Sequence, residues 1–346
     1  MSKTFSVDPF TNLRLFEAFK HFASDEAASG ALTDALAHEA NPDASIANIP
    51  DLQDALSAAY SAAEAAHRAA PGGASELEDY NFYRDLKHFT VNLGYAPLHY
   101  AVQVSLPRAE GIYTNSITVL LEHGASQSSL CVALEESIYN ARFKSIMSYS
   151  DCKDLVSNYN RDPSSYHIPA ELAGAVATPL QLACMRGNAA DQIKNAEEVM
   201  KLLITHGGHF DAACAKSYNV KIMYQLNNTD PYDTARFEDG RPYDTFEFLR
   251  WVVGSCTNSN SSFYSNTMEA FTSLLSLPLV KQFFQGNVAS IRKEAHDTIY
   301  LPYAEDAAQM RDIIAHNDAM QGVYDALMGE AHPAGGGAGA ALEHAA

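Results

Sequence analysis

Two stretches of this chain carry one pattern, and a recurring pattern restricts the fold more than any average property does. Gly94 to Ala101 reads G-Y-A-P-L-H-Y-A and is followed by I-T-V-L-L-E-H-G-A-S, Ile117 to Ser126. Ala177 to Cys184 reads A-T-P-L-Q-L-A-C and is followed by E-V-M-K-L-L-I-T-H-G-G, Glu198 to Gly208. Each copy predicts two helices joined by a connection. Pro97 and Pro179 suit a first helical turn, where the missing N–H costs nothing, and Thr178 is a cap for the helix that Pro179 opens. Leu98 and Ala101 are core positions of the pair. Ile117, Leu120 and Leu121 make the apolar stripe of the second helix. Gly94 meets a turn that a Cβ resists, and Gly124 sits where a helix ends in the left-handed region.

A partial third copy lies near the start. Ala35 to Ala44 reads A-L-A-H-E-A-N-P-D-A, with Glu39 where the other copies have glycine, and Asn12 to Lys20 supplies its first helix. His38, His123 and His206 then share one position, 85 and 83 residues apart.

The two clear copies resemble the ankyrin-repeat signature, G-x-T-P-L-H-x-A followed by V-x-L-L-L-x-H-G-A-D. Ala96 replaces the family's Thr in the first copy, and Gln181 replaces its His in the second. The intervals Pro97 to His123 and Pro179 to His206, 26 and 27 positions, exceed the family's spacing by roughly one or two helical turns. Insertions at Ser105 to Thr114 and Arg186 to Asn195 account for this and are expected on one side of the stack. The resemblance implies an all-α solenoid of helical hairpins, roughly five to seven in number, with irregular insertions and C-terminal capping helices. The expected division is an N-terminal region 1–90 with a degenerate repeat, the clearest repeats over 91–215, divergent repeats and caps over 216–330, and a flexible Gly/Ala tail over 331–346. Leu52 to His67 and Glu76 to Phe89 predict two further helices, and Leu130 to Ser148 a degenerate helix pair. Asp239 to Pro242 reads as a connecting turn; Tyr243 to Val253, Thr267 to Leu275, Leu279 to Phe284 and Ala304 to Met328 read as late helices.

Lys and Arg number 23 against 42 Asp and Glu, a net charge of −19. Such a surface repels phosphate backbones and steers in a basic partner, so nucleic acid is an unsuitable ligand. No apolar run reaches the roughly 18 residues that a membrane span needs. Met1 to Pro9 lacks the plan of a Sec signal, and five scattered cysteines without a C-x-x-C pair suit a reducing compartment. The expected location is cytoplasmic, or a host cell reached by a non-Sec route.

Catalytic fingerprints are absent from the sequence: it holds no phosphate loop, dinucleotide glycine pattern, serine elbow or H-E-x-x-H. His206-Gly-Gly-His209 has the spacing of a metal pair, but His206 occupies the recurring position and zinc needs further ligands. No cofactor, metal or catalytic residue is therefore assigned. Cys131 and Cys184 fall in core positions, whereas Cys152 and Cys256 lie in polar surroundings and are the thiols to test as nucleophiles.

By resemblance, ankyrin arrays bind proteins through turn fingers and first helices. That places partner-binding residues at Asn92, Leu93, Tyr95, Tyr100 and Gln103 in one copy, and at Val176, Gln181 and Arg186 in the other. The aromatic stretch Tyr218 to Tyr264 offers Tyr224, Tyr232 and Tyr243 among polar loops, and Tyr159 to Ile168 reads as a second such loop. The expected function is a protein-binding module, resembling the divergent effectors or inhibitors that bacteria and viruses direct at host proteins; the alternative is an enzyme carrying a small catalytic module on the repeat scaffold.

Overall fold

The structure, a computed structural model, describes residues 9–49, 51–70, 73–172, 174–185, 190–209 and 214. The chain divides into two units, Met1–Gly240 and Arg241–Ala346, and every described residue belongs to the first. The aromatic stretch, the Asp239 turn, the late helices and the tail all lie outside the described residues.

Ten helices account for most of the described residues: α1 (Pro9–Glu17), α2 (Asp25–Ala37), α3 (Asp51–Ala69), α4 (Ala74–Lys87), α5 (Pro97–Ser105), α6 (Thr114–Glu122), α7 (Glu136–Arg142), α8 (Tyr149–Arg161), α9 (Pro179–Met185) and α10 (Ala190–Thr205). Among the described residues, strand is limited to β1 (Cys131–Val132) and β2 (Val176–Ala177), which pair antiparallel. The class is all-α.

Three of these helix pairs stand in a row. α1 packs on α2, α5 on α6 and α9 on α10. Between pairs, α1 meets α5 and α5 meets α9, while α2 meets α6 and α6 meets α10. Each first helix opens with a proline, Pro9, Pro97 or Pro179, so the N-terminal pair begins three residues ahead of the expected Asn12. The intervening segments are additions to this row. α3 and α4 form a helical pair of their own with α3 against α1, and α7 and α8 pack together with α8 against β1. The expected degenerate pair at Leu130 to Ser148 is in fact β1 and α7, with the second helix, α8, starting one residue past it.

The second helices end in one geometry, repeated three times. The rings of His38, His123 and His206 each donate from Nδ1 to the carbonyl four residues back, on Asp34, Val119 and Leu202, at 2.7, 2.8 and 2.9 Å. The next residue is left-handed in every case: Glu39 at φ 65°, Gly124 at 87° and Gly207 at 93°. The amide after it then reaches back five residues, Ala40 to Ala35, Ala125 to Leu120 and Gly208 to Leu203. These bonds satisfy carbonyls that a helix end leaves orphaned. Glycine is favoured there because a Cβ crowds the carbonyl in the left-handed region, so Glu39 carries a conformational cost that its two counterparts avoid.

The first helices begin alike but with different chemistry. At α9 the capping is reciprocal: Thr178 Oγ1 accepts from Gln181 N at 3.2 Å and Gln181 Oε1 accepts from Thr178 N at 3.0 Å. Glutamine thus serves where the α5 copy has His99. At α5, Ala96 has no acceptor and only half of the exchange survives, Ala96 N donating to His99 Nδ1 at 3.4 Å. His99 is fully buried, its Nε2 without a well-aligned partner although the backbones of Ala177 and Ser129 lie close.

Polar side chains bind one pair to the next. Asp25, first residue of α2, accepts from Asn115 N at 2.8 Å and Ser116 N at 2.9 Å, capping the start of α6 across the pair boundary. Asn195 of α10 donates to the carbonyls of Leu106 at 2.9 Å and Arg108 at 2.8 Å, which brings residues of the two insertions together. Gln127 donates to His206 O at 2.8 Å.

Glu39→Gly is expected to raise stability by about 1 kcal/mol and Gly124→Ala to lower it by about as much. No atom stands within 4 Å of a Cβ at Gly124, so the loss there is purely conformational; denaturant unfolding of the two variants checks the signs. Burial holds His99 down to about 4, below its unfolded value, so the folded state binds fewer protons and stability falls as pH drops from about 6.5 towards 4, by on the order of 3 kcal/mol. His99→Gln, which copies the solution found at Gln181, is expected to flatten that slope in unfolding measured across the same pH range.

Candidate functional site

The second added segment builds the most site-like surface of the described residues. Ser148 caps α8, its Oγ accepting from Asp151 N at 3.1 Å. Cys152 and Val156, one turn apart, are buried, which leaves Lys153, Ser157 and Asn158 on the wall of a cavity of about 400 Å³. Thr90, Val91, Leu93 and Gly94 supply another wall, and Ile46 and Ala47 a third. Residues His88–Asn92 continue α4 as a π-helical turn, with Thr90 Oγ1 held on Leu86 O at 2.8 Å. Arg161 Nη2 donates to Ala47 O at 3.1 Å and ties α8 to the opposite loop.

A second cavity, of about 220 Å³, shares Asn160 with the first. Asn160 acts as a backbone mimic: its Oδ1 accepts from Leu130 N and its Nδ2 donates to Leu130 O, both at 2.7 Å. The smaller cavity is polar, with Asn41, Asp43, Ser45, Ser126, Ser128 and Tyr159 among its lining residues. Asp43 Oδ1 accepts from Ser126 N at 2.6 Å. Burial pushes the Asp43 carboxyl above its ordinary range, and that hydrogen bond opposes the shift without cancelling it.

The partner-binding residues expected from sequence are dispersed by the structure. Leu93, Tyr95, Tyr100 and Val176 are core residues, exposed by 0, 0, 4 and 6 %, and have almost no surface to offer a partner. The physical reason is an aromatic cluster: Tyr100 meets Phe16, Phe19 and Phe89 edge-on at 5.8, 5.9 and 5.9 Å, and Phe89 stacks on Tyr95 at 5.2 Å. Leu93 alone of the four also borders the larger cavity. Asn92 is exposed, and Gln103 and Gln181 are half-buried. Arg186, Tyr224, Tyr232 and Tyr243 lie outside the described residues. Tyr159 belongs to α8 rather than to a loop, whereas Tyr166 is exposed beyond it.

Among the thiols, Cys131 and Cys184 are buried as expected. Cys152 is buried too, which corrects its reading as a thiol in polar surroundings; burial pushes its thiol up, a hydrogen bond with Tyr139 partly offsetting that. A thiol so placed is a poor nucleophile. Cys256 lies outside the described residues. His206 is engaged in its helix end, and among the described residues no group of three or more His, Cys, Asp or Glu is arranged to hold a metal. Also among these, no helix is long and apolar enough to cross a membrane.

Asp43, Ser45, Lys153, Ser157 and Asn160 are the site residues that sequence reasoning missed. The N-P-D-A motif holding Asp43 was visible as the end of a repeat, but nothing in it announced a cavity. No family model matches the chain, and neither does any curated protein or solved structure.

Cys152 is expected to react with a thiol reagent at neutral pH at least about tenfold more slowly than an unhindered peptide thiol. The rate of labelling, measured at that cysteine by peptide mass in the native and the unfolded chain, checks this.

Proposed function

We propose that this chain is an ankyrin-type solenoid that works as a protein-binding module, holding a partner of basic surface against the cavity-bearing face beside α8. The supporting observation is the row of three helix pairs whose second helices end alike, with histidine Nδ1 on the preceding turn and a left-handed residue next. Repeats of this kind bury a continuous core between neighbours and leave loops and added segments for recognition. The two adjoining cavities beside α8 give such recognition relief, and the net charge of −19 favours a basic partner through long-range attraction. An effector or inhibitor that occupies a basic surface suits both features.

The test begins with affinity capture of partners by the full chain and continues with a purified pair. Association is expected to be saturable and to weaken steeply as salt rises from about 0.05 to 0.5 M. Ser157→Trp, which fills the larger cavity from the polar side of α8, is expected to weaken binding about tenfold or more while leaving thermal unfolding in place. Affinity independent of salt would remove the electrostatic part, and a partner indifferent to Ser157→Trp would remove the assigned face.

A further inference from the structure

The smaller cavity beside α8 holds a carboxylate without a counter-ion and a hydroxyl without a partner, which together point to one kind of occupant. Its amide side chains are largely spent on the protein itself. Asn160 is bonded twice to Leu130. Asn48 donates to Asp43 O at 2.7 Å and accepts from Ser45 N at 2.8 Å, and Asn41 Oδ1 accepts from Asp43 N at 3.0 Å. What remains includes one carboxylate oxygen and one buried hydroxyl. Asp43 uses Oδ1 on the Ser126 amide, and it forms no ion pair with a Lys or Arg of the described residues. Ser45 is 2 % exposed, lines the same cavity, and its buried Oγ has no partner.

A half-buried carboxylate without a counter-ion and a buried hydroxyl without a partner are each costly alone. Both costs are relieved by one donor-only cation. A neutral polyol would meet the hydroxyl and leave the charge uncompensated. An anion would be repelled by Asp43.

Building on the protein-binding reading, we propose that this cavity receives a basic side chain of the partner, lysine or arginine, with Asp43 as its counter-ion and Ser45 as a second acceptor. The site lies between the loop after α2, the loop after α6 and the last turn of α8, so it reads a cation only when the first two helix pairs and α8 are assembled. It deepens the general acidity of the chain into one position that selects a residue type.

The test uses the full chain and small probes: N-acetyl-arginine amide and N-acetyl-lysine amide, with the neutral citrulline analogue as control. At least one basic probe is expected to shift the backbone amide resonances of Asp43 and Ser126 saturably, and the citrulline analogue to leave them in place. Asp43→Asn keeps an oxygen for the Ser126 amide and is expected to weaken the basic probes about tenfold or more, the loss of a charged hydrogen-bond partner. Ser45→Ala removes a hydroxyl that bonds nothing, so its fold is retained, and it is expected to weaken them about threefold; this variant decides the matter should Asp43→Asn misfold. Equal shifts with citrulline, no saturable shift with either basic probe, or undiminished binding in Ser45→Ala and Asp43→Asn overturn the inference. A partner protein that binds Asp43→Asn as tightly as the native chain overturns it alone and leaves the protein-binding reading standing.

Discussion

The left-handed residue that ends each second helix is the constraint on which the rest depends. It turns the chain back against its own last turn, so that the loop leaves the helix in a fixed direction. Because Glu39, Gly124 and Gly207 adopt the same geometry, the three loops leave alike. Parallel departure lets each loop reach its neighbour: Asp43 meets the Ser126 amide, and Gln127 meets the carbonyl of His206. Were one end to fray, the polar link to the adjacent pair would lose its partner.

Packing and polar linkage divide the work of holding the row together. Apolar stripes bring α5 against α9 and α2 against α6, but hydrophobic contact does not choose a register. Asp25 on the amides of α6 and Asn195 on the carbonyls after α5 do choose one, since each bond is lost when the helices slide by a turn. Asp25 also brings a negative charge to the positive end of a neighbouring helix, a favourable placement. The added pair α3 and α4 then covers α1, and α8 covers the β1 finger. The surface that a bare row would present is thus replaced, in part, by the cavities beside α8.

Two corrections share a cause. Tyr95 and Tyr100 looked like recognition residues because aromatic side chains beside turns are good anchors. In the folded chain Phe16, Phe19 and Phe89 surround them. Phe16 and Phe19 belong to the partial first copy and Phe89 to the segment between copies, so their convergence could not be read along the chain. Cys152 looked polar because its neighbours in sequence are Asp151 and Lys153, yet a helix sends consecutive residues to different faces. Its own face carries Val156, and both are buried.

The sequence by itself determined the helix pairs, their ends and their recurrence. Proline at a helix start, the stripe of apolar residues and the histidine followed by a left-handed residue are local physics, settled within one or two turns of chain. It also carried the exchange of Gln181 for histidine, whose consequence, a reciprocal cap with Thr178, involves residues three apart. Only the tertiary structure decided that α3 with α4 and α7 with α8 are additions to a three-pair row, and that Asn41, Ser126 and Tyr159 border one cavity. Those residues lie some eighty and thirty positions apart, and no local preference records which distant loops will face each other. The site arises where separate segments happen to leave polar groups unpaired, which is a property of the packed chain and of no single stretch within it.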